Sequence, residues 1–246
     1  MKKILFIGFL VLTAACQSTL STLAPESTPT ATVLIPPTSA TVPPTVIPTE
    51  TLFPTPFPRF FTENFDTDPL DWSIIQTGNE ASPQIKAEGG ALTFELNTPY
   101  TWTYAIYGTH DYQDIRIDAS FENRGANPES IGLVCLYSEQ SGWYEFNIST
   151  DGTYNILYGQ WMAQGIASYT PIVNDTTEYL KRGETQYELG LICKQNVLWL
   201  YINQKLFRKV DVTRYGLNEG KVGLAVSSFE NTPVISVFDW VKVSEP

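Results

Sequence analysis

The sequence predicts an all-β protein, an antiparallel sandwich of two sheets. From about residue 60 onward, apolar and polar residues alternate with a period of two in one segment after another. Gly, Asn and Asp separate these segments, and no stretch of similar length repeats apolar residues at helical spacing. Because a strand with one apolar face must be covered by a second layer, we expect two sheets packed face to face.

The first residues have the pattern of an export signal. Lys2 and Lys3 precede the apolar run Ile4 to Leu12, and small residues follow, up to Ala15. An apolar run of about nine residues is too short to cross a hydrocarbon core of roughly 30 Å, so we do not expect a permanent transmembrane helix.

The residues that end this signal, Ala14-Ala15-Cys16, resemble the lipobox of bacterial lipoproteins, although Thr13 stands where that family usually has Leu. The resemblance implies a signal peptide over 1–15 and diacylglycerol on the Cys16 thiol, with stable membrane anchoring. It also implies an exported protein at the cell surface or facing the periplasm. The alternative is an ordinary secretory signal cleaved near Ala15, which would leave Cys16 as a free thiol.

Residues 16–58 are dominated by Thr, Pro, Ser and Val and carry almost no charge. Such a composition cannot build a core, so we expect a disordered linker. Repeated proline favours extended polyproline II at about 3.1 Å per residue, so the segment would span on the order of 100 Å. It is interpreted as a stalk, and a linker with no spacing role is equally compatible with anchoring.

Residues 59–246 are rich in aromatic and β-branched residues and form the predicted sandwich domain. The length suits one domain that buries roughly 70% of its unfolded surface. The net charge of the chain is -11. Because phosphate binding requires clustered Lys and Arg, a nucleic-acid partner is not expected.

Two strands show the alternation well. In DIRIDASFE, the inward residues are predicted to be Ile115, Ile117, Ala119 and Phe121. In WYEFNIS, the inward residues are predicted to be Tyr144, Phe146 and Ile148, and a DG turn at 151–152 then begins a hairpin. Further strands are predicted at 91–96, 131–137, 187–193, 197–202, 221–227 and 234–243.

Four segments carry a wider resemblance: FTENFDTDPLDWSI, GLVCLYSEQSGWYEFNISTDGTYNI, LICKQNVLWLYINQKLF and VGLAVSSFENTPVISVFDWVKV. Together they resemble the laminin G-like, concanavalin A-like jelly rolls of bacterial surface lipoproteins, and the related enzymatic family is the 3-keto-disaccharide hydrolase domain. The resemblance implies a jelly roll whose first and last strands lie side by side. It leaves the activity open, because this superfamily includes lectins, glucanases and adhesion modules.

Cys135 and Cys193 both lie in predicted strands and alternate in step with apolar neighbours. An exported location permits disulfides, so we predict that the two cysteines pair. The bond would close a loop of roughly sixty residues and contribute about 4 kcal/mol on the chain-entropy model. The alternative is two buried thiols that act as small apolar side chains.

Glycoside hydrolysis would need carboxylates on an exposed sheet face. We expect strands 115–122 and 143–149 to present their polar faces on one concave sheet. The residues concerned are Arg116, Asp118, Glu122, Glu145 and Asn147. Retaining glycosidases hold two carboxylates about 5 to 5.5 Å apart. The resembling glucanases carry Glu-x-Asp-x-x-Glu on one strand, and residues 145–150 keep one acid of the three. A Glu122–Glu145 pair remains a candidate, against the alternative of solvated acids.

The sequence has few residues for a metal site or a Ser-His-Asp triad. His110 is the single histidine, which excludes a multi-histidine centre, and its turn-like surroundings indicate a surface role. Because the resemblance brings the first and last strands together, Asp66 and Asp239 are candidates for a structural calcium site. The alternative is edge acids without metal, and no other cofactor is expected.

Sugars stack on exposed aromatic rings beside short polar groups. The candidates for carbohydrate binding are Trp143, Tyr158 and Trp161, with Asn147 and Arg116 as polar partners. Trp102, in the predicted loop TPYTWTYA, is a weaker candidate. Packing in the core or at an edge is the alternative for each ring. Trp199 and Trp240 lie in strongly apolar strands and are assigned to structure.

The sequence therefore predicts a membrane-anchored extracytoplasmic lipoprotein whose domain binds carbohydrate without catalysis. A glycoside hydrolase is the first alternative and a structural or protein-adhesion module the second. If the domain binds carbohydrate, we expect Trp143 and Trp161 to be exposed along one groove. A hydrolase requires two acids within about 5 to 10 Å of each other in that groove. An adhesion module instead requires an exposed apolar patch.

Overall fold

The computed structural model describes residues 57–127 and 129–246. The predicted signal peptide, the lipidation residue Cys16 and the linker up to residue 56 lie outside the described residues. Within the described ranges, no helix is long and apolar enough to cross a membrane.

The described residues form strands joined by turns, with one short 3₁₀ turn at Thr213–Tyr215. The strands of the first half are β1 (Phe61–Glu63), β2 (Trp72–Gly78), β3 (Gln84–Ala87), β4 (Leu92–Leu96), β5 (Thr101–Tyr112), β6 (Ile115–Asn123), β7 (Glu129–Ser138) and β8 (Gly142–Ile148). Those of the second half are β9 (Thr153–Ala163), β10 (Ile166–Thr176), β11 (Gln186–Lys194), β12 (Val197–Ile202), β13 (Lys205–Asp211), β14 (Gly220–Ser228) and β15 (Val234–Ser244).

These strands form two antiparallel sheets that pack as a sandwich. The eight-stranded sheet has the order β13-β12-β11-β6-β15-β4-β3, and β1 also pairs with β15. The seven-stranded sheet has the order β10-β9-β8-β7-β14-β5-β2. The predicted fold class, an all-β two-sheet antiparallel sandwich, is confirmed.

The core between the sheets is built from the inward faces that the alternation predicted. Ile117 and Phe121 of β6 and Phe146 of β8 are at most 1% exposed and belong to one apolar cluster. The outward side chains of the same strands stand on the opposite faces of their sheets because successive residues of a strand point to opposite sides.

The cysteine pair joins the two sheets. Cys135 of β7 and Cys193 of β11 form a disulfide with their Cα atoms 6.6 Å apart, at a sequence separation of 58. The predicted pairing is confirmed, and it links the seven-stranded sheet to the eight-stranded sheet within the core.

The entry segment, residues 57–63, contacts both sheets. Phe61 of β1 pairs with Val243 of β15, so the first and last strands lie side by side as the resemblance implied. The Arg59 guanidinium donates a hydrogen bond to the Asp111 carbonyl at 2.9 Å. The Tyr112 hydroxyl donates to the Arg59 carbonyl at 2.8 Å, and both Asp111 and Tyr112 belong to β5 of the other sheet.

Two expectations about local structure are wrong. Trp102 and His110 were assigned to a loop and to a turn-like stretch, yet both lie within β5, a strand of 12 residues. The period of two is hard to see there because both faces of β5 are buried over most of its length. Ala105 and Tyr107 face the core between the sheets, and Tyr104 and Ile106 belong to a separate apolar cluster on the opposite face.

Candidate functional site

The outer face of the seven-stranded sheet carries a second apolar cluster, separate from the core between the sheets. We call it the outer cluster. Its buried members are Tyr104, Ile106, Val134, Tyr137, Trp143 and Ala225, with Ile75, Trp102, Trp161, Ala167 and Tyr169 packed against them. An apolar cluster on the outside of a sandwich needs its own cover to be stable.

The cover is the β9–β10 hairpin. Although β10 and β2 are opposite edges of the sheet, the Thr77 hydroxyl of β2 donates to the Gly165 carbonyl at 3.0 Å and accepts from the Ala167 amide at 3.3 Å. The seven-stranded sheet therefore curls until its edges meet. Tyr169 of β10 lies over the outer cluster, stacked on Trp102 with ring centroids 6.0 Å apart.

Glu145 lies beneath this cover and is 1% exposed. Its Oε1 accepts from the Tyr104 hydroxyl at 2.7 Å and from Trp143 Nε1 at 2.5 Å, and its Oε2 accepts from the Asn147 amide at 2.9 Å. Burial raises the pKa of the carboxyl, and these three hydrogen bonds oppose the rise. The Tyr104 hydroxyl also contacts the Tyr169 hydroxyl at 2.7 Å.

Glycine makes room for two of these side chains. A Cβ at Gly159 would overlap the Trp143 indole, and a Cβ at Gly132 would overlap Asn147. Both glycines stand directly opposite the side chains that they accommodate, in β9 and β7 respectively. The Trp143 indole therefore occupies the space that a side chain at position 159 would need.

A cleft of about 620 Å³ opens beside the outer cluster, between β2 and the tip of the hairpin. It is lined by Ile74, Ile75, Gln76, Tyr137, Glu139, Trp161, Ala163, Gln164 and Gly165. We call it the Trp161 cleft. Its volume lies within the range of small-molecule sites in proteins, roughly 300 to 1,000 Å³.

Trp161 is held in place on one side and faces the cleft on the other. Its ring packs against Trp143 with centroids 5.2 Å apart, and its Nε1 donates to the Tyr137 hydroxyl at 3.1 Å. The side chain is half-buried, so part of an indole surface with a fixed orientation remains exposed. This is the one predicted aromatic candidate that lines a cleft with the expected exposure.

Two predictions about aromatic residues are wrong, the exposure of Trp143 and the outward direction of Tyr158. Trp143 is on the outer face as predicted, but it is 1% exposed because Trp161 and Tyr169 cover it, so its ring has no free surface for a sugar. Tyr158 is on the inner face, where its ring packs against Tyr215 and its hydroxyl donates to the Ser141 carbonyl. Tyr158 is opposite Tyr144 in the ladder, which fixes its inward direction.

The polar candidates do not form one group. Asn147 is 3% exposed and its amide donates to Glu145, so it does not reach solvent. Arg116 belongs to the eight-stranded sheet, where it forms two bonds of 2.7 Å with Asp118 and lies over the Tyr201 ring. The expectation that strands 115–122 and 143–149 share one face is wrong because they belong to different sheets.

The same topology separates the candidate catalytic acids. Glu122 is on the outer face of the eight-stranded sheet, paired with Arg124 at 2.6 Å, whereas Glu145 is beneath the hairpin on the outer face of the other sheet. The whole thickness of the sandwich lies between them. A Glu122–Glu145 catalytic pair is therefore ruled out.

The two candidates for a calcium site, Asp66 and Asp239, have different surroundings. Asp239 of β15 accepts a hydrogen bond from the Ser120 hydroxyl at 3.0 Å, and Asp66 follows β1 in a bend near Gly90. No group of three or more His, Cys, Asp or Glu residues that could hold a metal ion occurs in residues 57–127 and 129–246. His110 contacts the Phe57 carbonyl through Nε2 at 3.0 Å.

Several residues around the cleft do not stand out in the sequence. Gln76 lies in β2, a strand that the alternation did not reveal, and Tyr137 and Glu139 were not considered for the site. Trp199 and Trp240, assigned to structure, are half-buried on the outer face of the eight-stranded sheet. Lys209 Nζ lies 3.6 Å from the Trp199 ring centroid, a contact that no local pattern indicates.

Comparison with known proteins supports the fold. No family model matches the chain, and none of the curated proteins matches its sequence. A solved β-glucanase of Bacillus licheniformis is 11% identical with a TM-score of 0.52, covering 76% of this chain and 98% of its own. The fold is a concanavalin A-like jelly roll.

Two further structures agree with this assignment. A Bacteroides ovatus glycoside hydrolase of family 16, solved in complex with an oligosaccharide product, has a TM-score of 0.52 at 11% identity over 75% of this chain and 99% of its own. A Bacillus subtilis protein of unknown function with a galectin-like fold has a TM-score of 0.55 at 13% identity, over 75% and 94% respectively. At such identities, the likeness shows the fold alone.

Proposed function

We propose that this chain is a membrane-anchored extracytoplasmic lipoprotein whose jelly-roll domain binds carbohydrate in the Trp161 cleft without cleaving it. The observation that carries the proposal is a fixed, half-buried tryptophan ring that lines an open cleft together with carboxamide side chains. The anchoring part of the proposal is supported by the pattern of residues 1–16.

The cleft has the two kinds of group that sugars require. The C–H face of a pyranose ring packs on an exposed indole, and Trp161 offers that surface. Gln76 and Gln164 line the same cleft and can bond hydroxyl groups. The Gln76 amide nitrogen already donates to the Ala81 carbonyl at 2.9 Å, which fixes the side chain before a ligand arrives.

The acids in this region argue against hydrolysis. Glu145 is covered and accepts three hydrogen bonds, and it has no second carboxylate among its partners. The lining of the Trp161 cleft includes one carboxylate, Glu139; Asp111 and Glu219 line the adjoining cleft instead, where Asp111 is paired with Lys221. Because glycoside hydrolysis uses two carboxylates that flank one bond, this site suits retention of a glycan better than cleavage.

The solved neighbours support the choice of ligand class. A glucanase and a family 16 hydrolase with a bound oligosaccharide product share this fold. Their site chemistry is not carried over, since Glu145 is buried here. We expect the outer sheet face to hold the sugar, and Trp161, Gln76 and Gln164 in the cleft to contact it.

A protein-adhesion role is the second candidate, favoured by exposed apolar residues at the hairpin tip. Met162 is 70% exposed and Ile166 is 59% exposed, and both flank the residues of the Trp161 cleft. A partner protein would bury these side chains without needing the indole face of Trp161.

The test is retention of the full-length protein on a panel of immobilised polysaccharides, with parallel measurement of released reducing sugar. We expect retention without release, and a loss of affinity of roughly 10-fold or more in Trp161→Ala, as for other buried aromatic anchors. Trp199→Ala is the matched control because it removes a half-buried tryptophan from the other sheet.

Retention that is unchanged in Trp161→Ala would contradict the site, and released sugar would contradict the absence of catalysis. If no polysaccharide of the panel retains the protein, the carbohydrate proposal fails. In that case, loss of binding to a partner protein in a Met162→Ser/Ile166→Ser variant would favour the adhesion role.

A further inference from the structure

The Trp161 cleft continues into a second cleft of about 310 Å³ that shares Tyr137 and Glu139 with it. The second cleft adds Asp111, Ser138, Gln140, Glu219, Gly220 and Lys221 to the lining. The two clefts adjoin at these shared residues on the outer face of the seven-stranded sheet, and we call them together the track.

The charges along this track are mostly negative. Three carboxylates line it, Glu139, Asp111 and Glu219, against one cation, Lys221. The Lys221 ammonium is 3.0 Å from an Asp111 carboxylate oxygen, so its charge is already compensated. Neither Glu139 nor Glu219 forms an ion pair with any cation in the described part of the chain.

Glu139 occupies the place where the two clefts join. Its carboxylate is close enough to the Tyr137 hydroxyl to contribute, after burial, to the raised pKa of that tyrosine. The same hydroxyl accepts the hydrogen bond from Trp161 Nε1. A sugar stacked on Trp161 would therefore place its substituents beside an uncompensated carboxylate.

We infer that the track selects glycans by charge, taking amine-bearing sugars with Glu139 as their counter-ion and rejecting sugars that carry carboxylates or sulfates. This inference rests on the proposed carbohydrate function and names its ligand class. A protonated amine gains a charge-assisted bond at Glu139, and the exposed part of the Trp161 ring adds cation–π attraction. A uronate would meet two uncompensated carboxylates and no free cation in the lining.

The expected size of the preference for amine-bearing sugars follows from the exposure of Glu139. Glu139 is exposed, so water screens its interactions, and an ion pair at such a site contributes less than a buried one. We expect a preference of about 5-fold for an amine over a neutral substituent. The preference should shrink as salt is added.

The experiment measures binding of three oligosaccharides to the full-length protein by calorimetry, at a pH where the amines are protonated. The probes are a glucosamine oligomer, the N-acetylglucosamine oligomer of the same length and linkage, and a galacturonic acid oligomer. We expect the glucosamine oligomer to bind about 5-fold more tightly than its acetylated partner, and the galacturonic acid oligomer not to bind.

Glu139→Gln identifies the residue responsible. It keeps the shape of the side chain and should bring the ratio of the two affinities to about 1 to 2, while affinity for the acetylated oligomer stays within about 2-fold. Glu230→Gln is the matched control because it removes an exposed carboxylate from the loop at the far end of β14.

Equal binding of the amine-bearing and acetylated oligomers by the unaltered protein would overturn the inference and leave the proposed function standing. Tight binding of the galacturonic acid oligomer, or an unchanged ratio in Glu139→Gln, would also overturn it. If none of the three oligomers binds while the polysaccharide panel retains the protein, the inference alone fails. If the panel retains nothing, the proposed function fails first.

Discussion

At the scale of single residues, two buried glutamates have very different surroundings. Glu145 on the outer face accepts hydrogen bonds from three donors. Glu129, between the sheets, is fully buried and accepts one bond from the Ser236 hydroxyl, while its Oε1 has no partner within the described residues. With a single donor, burial dominates and raises the pKa of Glu129 to about 8.

This carboxyl should make stability depend on pH. The ordinary pKa is 4.5, so the folded protein holds one more proton than the unfolded chain between about pH 4.5 and pH 8. Stability is then greatest below pH 4.5 with respect to this group and falls as the pH rises, by at most about 1.4 kcal/mol per pH unit. Glu129→Gln should raise Tm at pH 8 by roughly 5 to 10 °C. It should also reduce the fall of Tm between about pH 5 and about pH 8.

Thermal unfolding followed by circular dichroism from pH 5 to pH 8 measures this slope. Glu80→Gln, a change at an exposed carboxylate, is the control and should leave the slope unchanged. Burial raises the pKa of Glu145 as well, so part of the slope should persist in Glu129→Gln. Parallel profiles for the unaltered protein and Glu129→Gln would contradict the assignment.

At the scale of elements, the β9–β10 hairpin decides what the outer face can do. It covers Glu145 and Trp143, and it leaves Trp161 at the edge of the cleft. Its link to β2 is the Thr77 hydroxyl, which donates to Gly165 and accepts from Ala167. An edge strand with one neighbour depends on such a link because half of its backbone groups have no ladder partner.

Thr77→Val should loosen the hairpin without unfolding the domain. Valine keeps the β-branched shape and removes both hydrogen bonds, each with a net contribution of about 0.5 to 1.5 kcal/mol. We expect amide hydrogen exchange at Ala167 and its neighbours in β10 to become roughly 10-fold faster, with little change in the core strands. Thr77→Ser retains the hydroxyl and is the matched control. Exchange in β10 that is equally slow in Thr77→Val would show that the hairpin is held by other contacts.

The same hairpin explains how far the sequence could predict the site. The direction of Phe146 and Ile117 follows from alternation, which is local, and that prediction is confirmed. The direction of Trp143 follows from it too, but its exposure depends on β10, a strand some twenty residues later that folds back over it. Likewise, the strand order that separates Glu122 from Glu145 is set by long-range pairing, which no local pattern contains.

At the scale of the whole molecule, two sheets are held together by one apolar core and one covalent link. The Cys135–Cys193 disulfide closes 58 residues of chain, which include all of β7 to β10 after Cys135. Alternation placed both cysteines on inward faces, so their pairing could be predicted. The chain-entropy model gives a contribution of about 4 kcal/mol for a loop of this length.

Replacing both cysteines by alanine should lower the free energy of unfolding by about 4 kcal/mol. Guanidinium denaturation of the double variant measures the loss, with Cys16→Ser as the background because the chain has 3 cysteines. In that background, alkylation of the unfolded, unreduced protein should label no thiol. Two labelled thiols, or a double variant as stable as its background, would contradict the prediction.

The attachment of residues 57–63 to both sheets has a mechanical consequence. A force applied at Phe57 acts on the Arg59–Tyr112 contacts of the seven-stranded sheet and on the β1–β15 ladder of the eight-stranded sheet. Tension would thus be divided between the two layers, and the covalent bond between β7 and β11 would oppose their separation. If the domain is anchored from this end as proposed, a load on it would not first peel one sheet from the other.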